Sequence, residues 1–272
     1  MKASGGMGCS MAEGSFTVAV MAAQREGRLD PLAAGAGVTH KCLVPIGGRP
    51  LLAHVLGALA EVEGIARVRL VVEPGAEPKL RPISDGFDLP VEYVAAAANI
   101  ADSVYAAAEG MDGPVVVTTA DNVLLTPEAV RRVAERLRAG DDGVAAMARK
   151  EAVLAAHPQG QRRFYRFRDG EYSNCNLFGL SRRGLAFAET FRSGGQFAKN
   201  PKRVAMAVGL FNLLVMRIGI LTLDQAMRRL SRRFGLKASA VVLEDGAHAI
   251  DVDNARTYSI AAQLLERRAA WS

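Results

Sequence analysis

Three acidic and two basic residues have the types and spacing expected of a site for a nucleotide and a metal. Asp251 and Asp253 are two positions apart, so a short strand would place both carboxylates on one side. Two such groups repel unless a cation or proton lies between them. Asp121 directly follows an apolar run, where a carboxylate can hold Mg2+ against phosphates. Arg28 and Lys41 follow an earlier apolar run and offer cations to a triphosphate.

The elements that must position these residues alternate between strands and helices. The sequence predicts strands over residues 16–23, 67–72, 91–95 and 114–120. It predicts helices over residues 50–62, 100–111, 126–140 and 254–270. It also predicts that regular secondary structure is interrupted at Pro74, Gly75, Pro78 and Pro82. This order predicts an α/β fold of Rossmann-like type, with a mostly parallel mixed sheet and helices on both faces. Ligands bind at the carboxyl ends of the strands in such sheets.

A glycine-containing hexamer at residues 32–37, LAAGAG, looks like a phosphate-binding loop. Asp30 and Pro31 precede it, and a proline without an N–H group cannot lie in the central strand that such a loop must leave. We therefore interpret the hexamer as spacer. The strand over residues 16–23 places the start of the working loop near Gln24.

In this register the chain resembles the MobA-like and sugar-phosphate nucleotidyltransferase superfamily. The matching segments are Met21-Ala22-Ala23, Arg28-Leu29-x-Pro31-Leu32, Lys41-x-Leu43-Val44-Pro45 and Gly48-x-Pro50-Leu51. The resemblance implies a nucleotide-binding loop at Ala22, Ala23 and Gln24. It also implies that Arg28 holds the β- and γ-phosphates and that Lys41 stabilises charge on the α-phosphate. Gln24 and Glu26 replace two glycines of the family, and side chains there limit how closely a phosphate can approach the backbone.

Three later segments also resemble motifs of this superfamily. Residues 119–127 resemble the motif whose aspartate is a metal ligand, which implies that role for Asp121. Residues 249–254 resemble the late Asp-x-Asp motif, which implies Asp253 as the other ligand with Asp251 as its partner. Residues 98–104 resemble the part that contacts base and ribose, which implies contacts from Asn99 and Ser103. Helix capping by Asn99 or Asp102 explains the middle segment without a nucleotide, and Asp253 could cap the last helix as well as bind metal, so these alternatives stay open.

Positive charge is concentrated in residues 160–237, which hold 16 Lys and Arg against 4 Asp and Glu; the rest of the chain holds 18 against 24. We predict a loose tail over residues 1–14 and one domain over residues 15–272, in which residues 160–237 form a basic lobe on the acceptor side. A solvated basic surface is the alternative.

The basic lobe contains the candidates for binding an acceptor. Its predicted hairpin over residues 162–180 carries Asn174 and Asn176, whose amides suit the hydroxyls of a sugar or polyol. Exposure on an edge strand explains them as well. The cations Lys199, Lys202 and Arg203 flank Pro201 at a predicted helix start, where they could bind an acceptor phosphate. An ordinary helix boundary is the alternative there.

Composition narrows the compartment and the partners. Half of the residues are hydrophobic, which excludes wholesale disorder. The three cysteines have no CxxC spacing, so a disulfide framework or zinc site is not expected, and a cytoplasmic protein fits. The apolar stretch at residues 204–221 contains Arg217, which favours a buried or interfacial helix over a membrane span and leaves membrane-surface contact open. Nucleic acid is not favoured, because no recognised module accompanies the basic aromatic run at residues 162–168.

The predicted function is Mg2+-dependent transfer of a nucleoside monophosphate from an NTP, with CTP or GTP favoured, to a phosphorylated small acceptor such as a sugar or polyol phosphate. Pyrophosphate would leave, and catalysis would rest on alignment and charge neutralisation. Two alternatives stay open. One is a GT-A-type glycosyltransferase, although its Asp-x-Asp motif should follow a mid-chain strand. The other is a non-catalytic nucleotide-binding regulatory protein, which is suggested by Gln24 and Glu26 in place of the two glycines.

Overall fold

A mixed sheet organises the fold. The computed structural model describes residues 14–24, 29–191 and 220–271. The strands in these ranges are β1 (Phe16–Met21), β2 (Pro45–Ile46), β3 (Arg49–Pro50), β4 (Ile65–Val72), β5 (Val91–Ala95), β6 (Val115–Thr119), β7 (Gly143–Arg149), β8 (Tyr165–Phe167), β9 (Gly170–Leu180) and β10 (Ala238–Leu243). The α-helices are α1 (Pro31–Gly35), α2 (Leu51–Ala60), α3 (Glu77–Ser84), α4 (Ile100–Ala108), α5 (Pro127–Arg138), α6 (Lys150–Ala156), α7 (Leu223–Phe234) and α8 (Ala255–Trp271). Short 3-10 helices span Lys41–Leu43, Arg183–Phe191 and Gly246–Ala249.

The strand order is β10-β7-β9-β6-β1-β4-β5, with β8 beside β9. Strand β1 is parallel to β4 and β6, and β4 is parallel to β5. Strands β7 and β10 form a second parallel pair. Strand β9 lies between these two blocks and runs antiparallel to both β6 and β7. The predicted α/β class with a mostly parallel mixed sheet is therefore confirmed.

Helices cover both faces of the sheet. Alternate residues of a strand point to opposite sides, and the buried strands carry apolar side chains on both. Val18 and Val20 of β1 pack in a core with α2, α5 and α8. Ala19, between them, packs in a second core with α4, α7 and the 3-10 helix Arg183–Phe191. Strand β1 is thus buried from both sides, which explains why it reads as a continuous apolar run.

One prediction about the elements was wrong, and one open alternative does not hold. The proline-rich segment after β4 is not a simple break, because α3 runs through it. Pro78 lies in the first turn of α3, where an N–H group has no partner within the helix, and Pro82 is accommodated inside the helix. Strand β9 is also not an exposed edge strand, because it pairs with neighbours on both sides. Within it, Asn174 pairs with Met147 of β7, and Asn174 and Asn176 are both partly buried.

The segment before Asp251 approaches α6 so closely that only glycine fits at position 246. A β-carbon on Gly246 would lie 2.2 Å from the backbone nitrogen of Val153. We expect Gly246→Ala to lower the free energy of unfolding by about 3 kcal/mol, because a backbone must move to admit the methyl group. Urea denaturation would measure this. Gly35→Ala is the control, since no atom lies within 4 Å of its added carbon. Equal stabilities for the two variants would contradict the prediction.

Candidate active site

Lys41 joins two of the predicted carboxylates. Asp121 follows β6, which neighbours β1, so it lies at the carboxyl edge of the sheet. The Lys41 ammonium donates a hydrogen bond to Asp121 Oδ2 and lies 3.5 Å from Asp253 Oδ1. The Thr119 hydroxyl donates to the other oxygen of Asp121. Residues from three distant parts of the sequence therefore meet at this edge.

The ammonium of Lys41 carries its charge in this setting. Burial acts to lower the pKa of Lys41, but the hydrogen bond and charge of Asp121 outweigh it, and the charges of Asp253 and Asp30 add to this effect. The pKa of Lys41 is consequently raised above its ordinary value. A fixed positive charge is thus present at neutral pH where phosphates are expected to bind.

Asp251 and Asp253 do not lie on a strand, so that prediction was wrong. They lie in an irregular segment between the 3-10 helix Gly246–Ala249 and α8. The Val252 N–H donates to the carbonyl oxygen of Asp121 at 3.2 Å, and the Asp253 N–H donates to the carbonyl oxygen of Asp251 at 3.0 Å. These two bonds take the place of a strand ladder and fix the segment against the loop that carries Asp121.

The Asp251 carboxyl has an unusual environment. Its Oδ2 accepts a hydrogen bond from Asn176 Nδ2 at 2.5 Å, while its Oδ1 is buried and has no hydrogen-bond partner. Burial is the largest cause of a pKa well above the ordinary value, the charges of Asp121 and Asp253 add to it, and Lys41 opposes it. The Asp251 carboxyl is therefore costly to ionise unless a cation lies beside it.

Asp253 is available to the site because a neighbour caps the following helix. The side chain of Asn254 accepts hydrogen bonds from the N–H groups of Arg256 at 3.1 Å and Thr257 at 3.2 Å. The Asp253 backbone N–H donates to the Thr257 hydroxyl at 2.9 Å, and the Asp253 side chain is 70 % exposed beside Lys41. The capping role thus falls to Asn254.

Further contacts join the loop after Asp121 to the segment before Asp251. The Thr126 hydroxyl lies 2.8 Å from His248 Nε2, and His248 Nδ1 lies 2.8 Å from the carbonyl oxygen of Asp245. The Arg268 guanidinium donates to the carbonyl oxygen of Leu124 at 2.9 Å and to Asp245 Oδ2 at 2.8 Å. Both carboxylate-bearing segments are therefore held in a fixed relation.

His248 makes stability depend on pH. Burial is the main cause of a lowered pKa, the Arg268 charge adds to it, and the hydrogen bond and charge of Asp245 oppose it. Because the folded pKa lies below the unfolded value of about 6.5, the unfolded chain binds more protons in acid. The contribution of His248 is complete above that pH and is lost as pH falls below it.

We therefore expect the free energy of unfolding to fall between pH 7 and pH 5.5, and His248→Gln to flatten this slope. Urea denaturation at several pH values would measure it. His157→Gln is the control, since the His157 ring accepts only a local hydrogen bond from Gln159. An unchanged slope in His248→Gln would refute the assignment.

The first part of the predicted nucleotide loop contains a contact that the sequence did not predict. The Gln24 backbone N–H donates to the carboxylate of Glu73, the residue after β4. The Gln24 side-chain amide donates to the carbonyl oxygen of Thr39 at 2.7 Å. Glu73 follows a buried parallel strand just as Asp121 does, so its position was the signal that could have identified it. Ala22 is buried and Ala23 is exposed at the same strand end, while Glu26 and Arg28 lie outside the described residues.

Asn99 and Ser103 hold the start of α4. Asn99 Oδ1 accepts from the Asp102 N–H at 3.0 Å, and the Ser103 hydroxyl oxygen accepts from the Ala97 N–H at 2.9 Å. Helix capping thus describes Asn99 in this structure, and contact of either residue with a base stays a prediction.

The acceptor candidates fall into two groups. Asn174 Nδ2 donates to Asn176 Oδ1 at 2.9 Å, and Asn176 also contacts Asp251, so this pair lies beside the carboxylates. Lys199, Lys202 and Arg203 lie outside the described residues, as does most of the apolar stretch 204–221. Among the helices of the described ranges, none is long and apolar enough to cross a membrane.

The carboxylates fit a magnesium site in which phosphates of the substrate supply some of the ligands. No group of three or more His, Cys, Asp or Glu side chains in the described residues is arranged to hold a metal ion by itself. Mg2+ usually takes one or two protein carboxylates and completes its shell with water and substrate phosphates. The unpartnered Oδ1 of Asp251 and the nearby oxygens of Asp121 supply suitable ligands.

Comparison with known proteins agrees with the motifs and the fold. The model of the MobA-like NTP transferase domain matches residues 18–188. The bifunctional protein GlmU of Corynebacterium jeikeium is 28 % identical over 260 residues, which cover 87 % of this chain and 49 % of that protein. GlmU of Rhodospirillum rubrum is 34 % identical over 119 residues, which cover 41 % of this chain and 26 % of that protein. The chain thus spans half or less of the length of these curated relatives.

A hypothetical transferase from Thermus thermophilus is similar in structure, with a TM-score of 0.70 and 30 % identity over 90 % of this chain and 99 % of that one. The 4-diphosphocytidyl-2C-methyl-D-erythritol synthase of Anaerococcus prevotii has a TM-score of 0.60 at 14 % identity, over 94 % of this chain and all of that one, and shares the fold. The predicted superfamily and enzyme class are confirmed. The chain belongs to the MobA-like NTP transferase family of nucleotidyltransferases.

Proposed function

We propose that the protein transfers a nucleoside monophosphate from an NTP to a phosphorylated small acceptor, with Mg2+ as the metal. An oxygen of the acceptor phosphate attacks the α-phosphorus of the NTP. The bond from that phosphorus to the oxygen bridging to the β-phosphorus breaks, and pyrophosphate leaves. The acceptor oxygen is already anionic near neutral pH, so the step requires no protein base.

The observation that carries this proposal is the meeting of Lys41, Asp121 and Asp253 at the carboxyl edge of the sheet. Lys41 offers a partly buried positive charge that can stabilise charge developing on the α-phosphate. Asp121, Asp251 and Asp253 are the residues that would hold Mg2+, which supplies charge neutralisation for the phosphates. Arg28 is proposed to bind the β- and γ-phosphates.

The acceptor is proposed to bind on the side of the basic lobe, residues 160–237, and to be a sugar or polyol phosphate. The hydrogen bond from Asn176 of strand β9 to Asp251 supports this side for the acceptor. CTP and GTP are the favoured nucleotides. The cytidylyl-transferring relative shares only the fold, so the base must be decided by experiment.

A panel of the four NTPs against sugar, polyol and aminoalcohol phosphates, scored for pyrophosphate, tests the proposal. Pyrophosphate that appears only with both an NTP and a phosphorylated acceptor is the expected result, and non-phosphorylated acceptors are the control. Release of free NDP from an NDP-sugar would instead identify a glycosyltransferase. Nucleotide binding without either product would identify a regulatory binding protein. The Glu73 carboxylate bonded to the Gln24 backbone N–H would help to explain that result.

A further inference from the structure

Strand β9 is distorted next to the carboxylates. On the facing strand β7, Ala145 pairs with Phe178 while Met147 pairs with Asn174, so residues 175–177 of β9 stand opposite one residue of β7. Asn176 lies at the centre of this bulge with φ of +46°, and it is the one non-glycine residue of the described chain with positive φ. Asparagine adopts this left-handed conformation more readily than most residues. Such bulges often aim a side chain at a functional site.

The bulge is held by hydrogen bonds on both sides. Asn174 Oδ1 accepts from the Asn176 backbone N–H at 3.2 Å, and Asn174 Nδ2 donates to Asn176 Oδ1 at 2.9 Å. The fully buried Asn122 donates to the carbonyl oxygen of Cys175 at 3.1 Å, which ties the bulge to the loop that carries Asp121. The side-chain amide of Asn176 is therefore fixed in orientation, with its nitrogen on Asp251 Oδ2.

A neutral amide is well suited to hold this carboxylate. The segment that carries Asp251 and Asp253 is bonded to the Asp121 loop, so the three like charges repel one another and the Asp251 side chain gains by turning away. A hydrogen bond from Asn176 opposes that movement. Because the amide carries no charge, it does not compete with a cation as a lysine would. It occupies one oxygen of Asp251 and leaves Oδ1 without a partner.

We propose that Asn176, oriented by Asn174, is a positioning residue that fixes Asp251 as a ligand for the divalent cation. This inference rests on the proposed function and revises the acceptor-binding role predicted for the two asparagines. Each polar atom of the Asn176 side chain already has one partner in the protein, so the protein and not an acceptor sets the orientation of the amide. Partners of metal-binding side chains commonly change metal affinity by about 10- to 100-fold when they are removed.

The test is a titration with Mn2+, followed by electron paramagnetic resonance of the free ion and made without acceptor, so that no turnover is needed. Asn176→Gly keeps the left-handed backbone accessible and removes the amide. We expect it to weaken Mn2+ binding about 10-fold or more. Asn174→Ala, which retains Asn176 but frees its orientation, should weaken binding less. The Tm of each variant reports whether the fold is intact.

The outcomes separate this inference from the proposed reaction. Equal Mn2+ affinity in wild type and Asn176→Gly, with a raised KM for the acceptor, would overturn it in favour of direct acceptor binding. Absence of Mn2+ binding in the wild type would also overturn it. Weaker Mn2+ binding in Asn176→Gly together with no pyrophosphate in the NTP panel would support the positioning role and refute the reaction.

Discussion

Lys41→Met is expected to lower kcat for pyrophosphate release by about 10²- to 10³-fold, the usual effect of removing one group that stabilises transition-state charge. Methionine keeps most of the apolar length of the side chain and removes the ammonium. The loss should fall on kcat more than on KM for the NTP, because the charge on the α-phosphate grows in the transition state. Steady-state kinetics with a pyrophosphate assay would measure both constants.

Lys150→Met is the matched control for this variant. Lys150 also forms an ion pair, with Glu171, but it lies outside the Asp121 cluster. The control should keep activity within about twofold, since such partly exposed pairs contribute little. Circular dichroism should show that both variants are folded. More than half of the wild-type kcat in Lys41→Met would exclude Lys41 from the catalytic machinery.

Asp121→Asn is expected to reduce activity at least about 100-fold without unfolding the protein. An amide has nearly the shape of the carboxylate, but it removes the negative charge that pairs with Lys41 and would hold Mg2+. It also relieves repulsion on Asp251, so the free energy of unfolding should stay within about 1 kcal/mol of wild type. A large loss of activity without a loss of stability is typical of a carboxylate retained for function.

The exposed residue Asp112 offers the matched control, because Asp112→Asn removes the same charge at the other end of β6. It should keep both full activity and full stability. Thermal unfolding and kcat measured together would distinguish the two sites. An Asp121→Asn protein that unfolds readily, or one that turns over at the wild-type rate, would contradict the proposed role.

The location of the site was predictable because it follows from rules that act locally. A buried apolar run ending in Asp121 and a helix start at Thr126 are enough to place that carboxylate at the carboxyl edge of a parallel sheet. The same reasoning placed β1 and showed that the LAAGAG hexamer does not follow a strand; Pro31 indeed begins α1.

What the sequence did not predict depends on contacts between distant residues. The hydrogen bond from Asn176 to Asp251 joins positions 75 apart, and it exists because β9 bulges, a feature with no pattern in the sequence. The carboxylate of Glu73 on the Gln24 amide likewise joins two strand ends. Strands β7 and β10 were missed as well. Strand β7 is rich in alanine and has Val144 as its one β-branched residue, so it gives a weak strand signal, and it is fixed by pairing on both sides.

The antiparallel strand β9 also constrains the order in which the chain can fold. Strands β1, β4, β5 and β6 are contiguous in the sheet and lie within residues 16–119, so they can assemble early, whereas β7 and β10 join them only through β9. Asp121 follows the first block and Asp251 follows the last strand. The proposed cation site would therefore form only after β9 and β10 have joined the sheet. A chain arrested before that step would hold a nearly complete first block and yet have no metal affinity, so metal binding would report on the final step of folding.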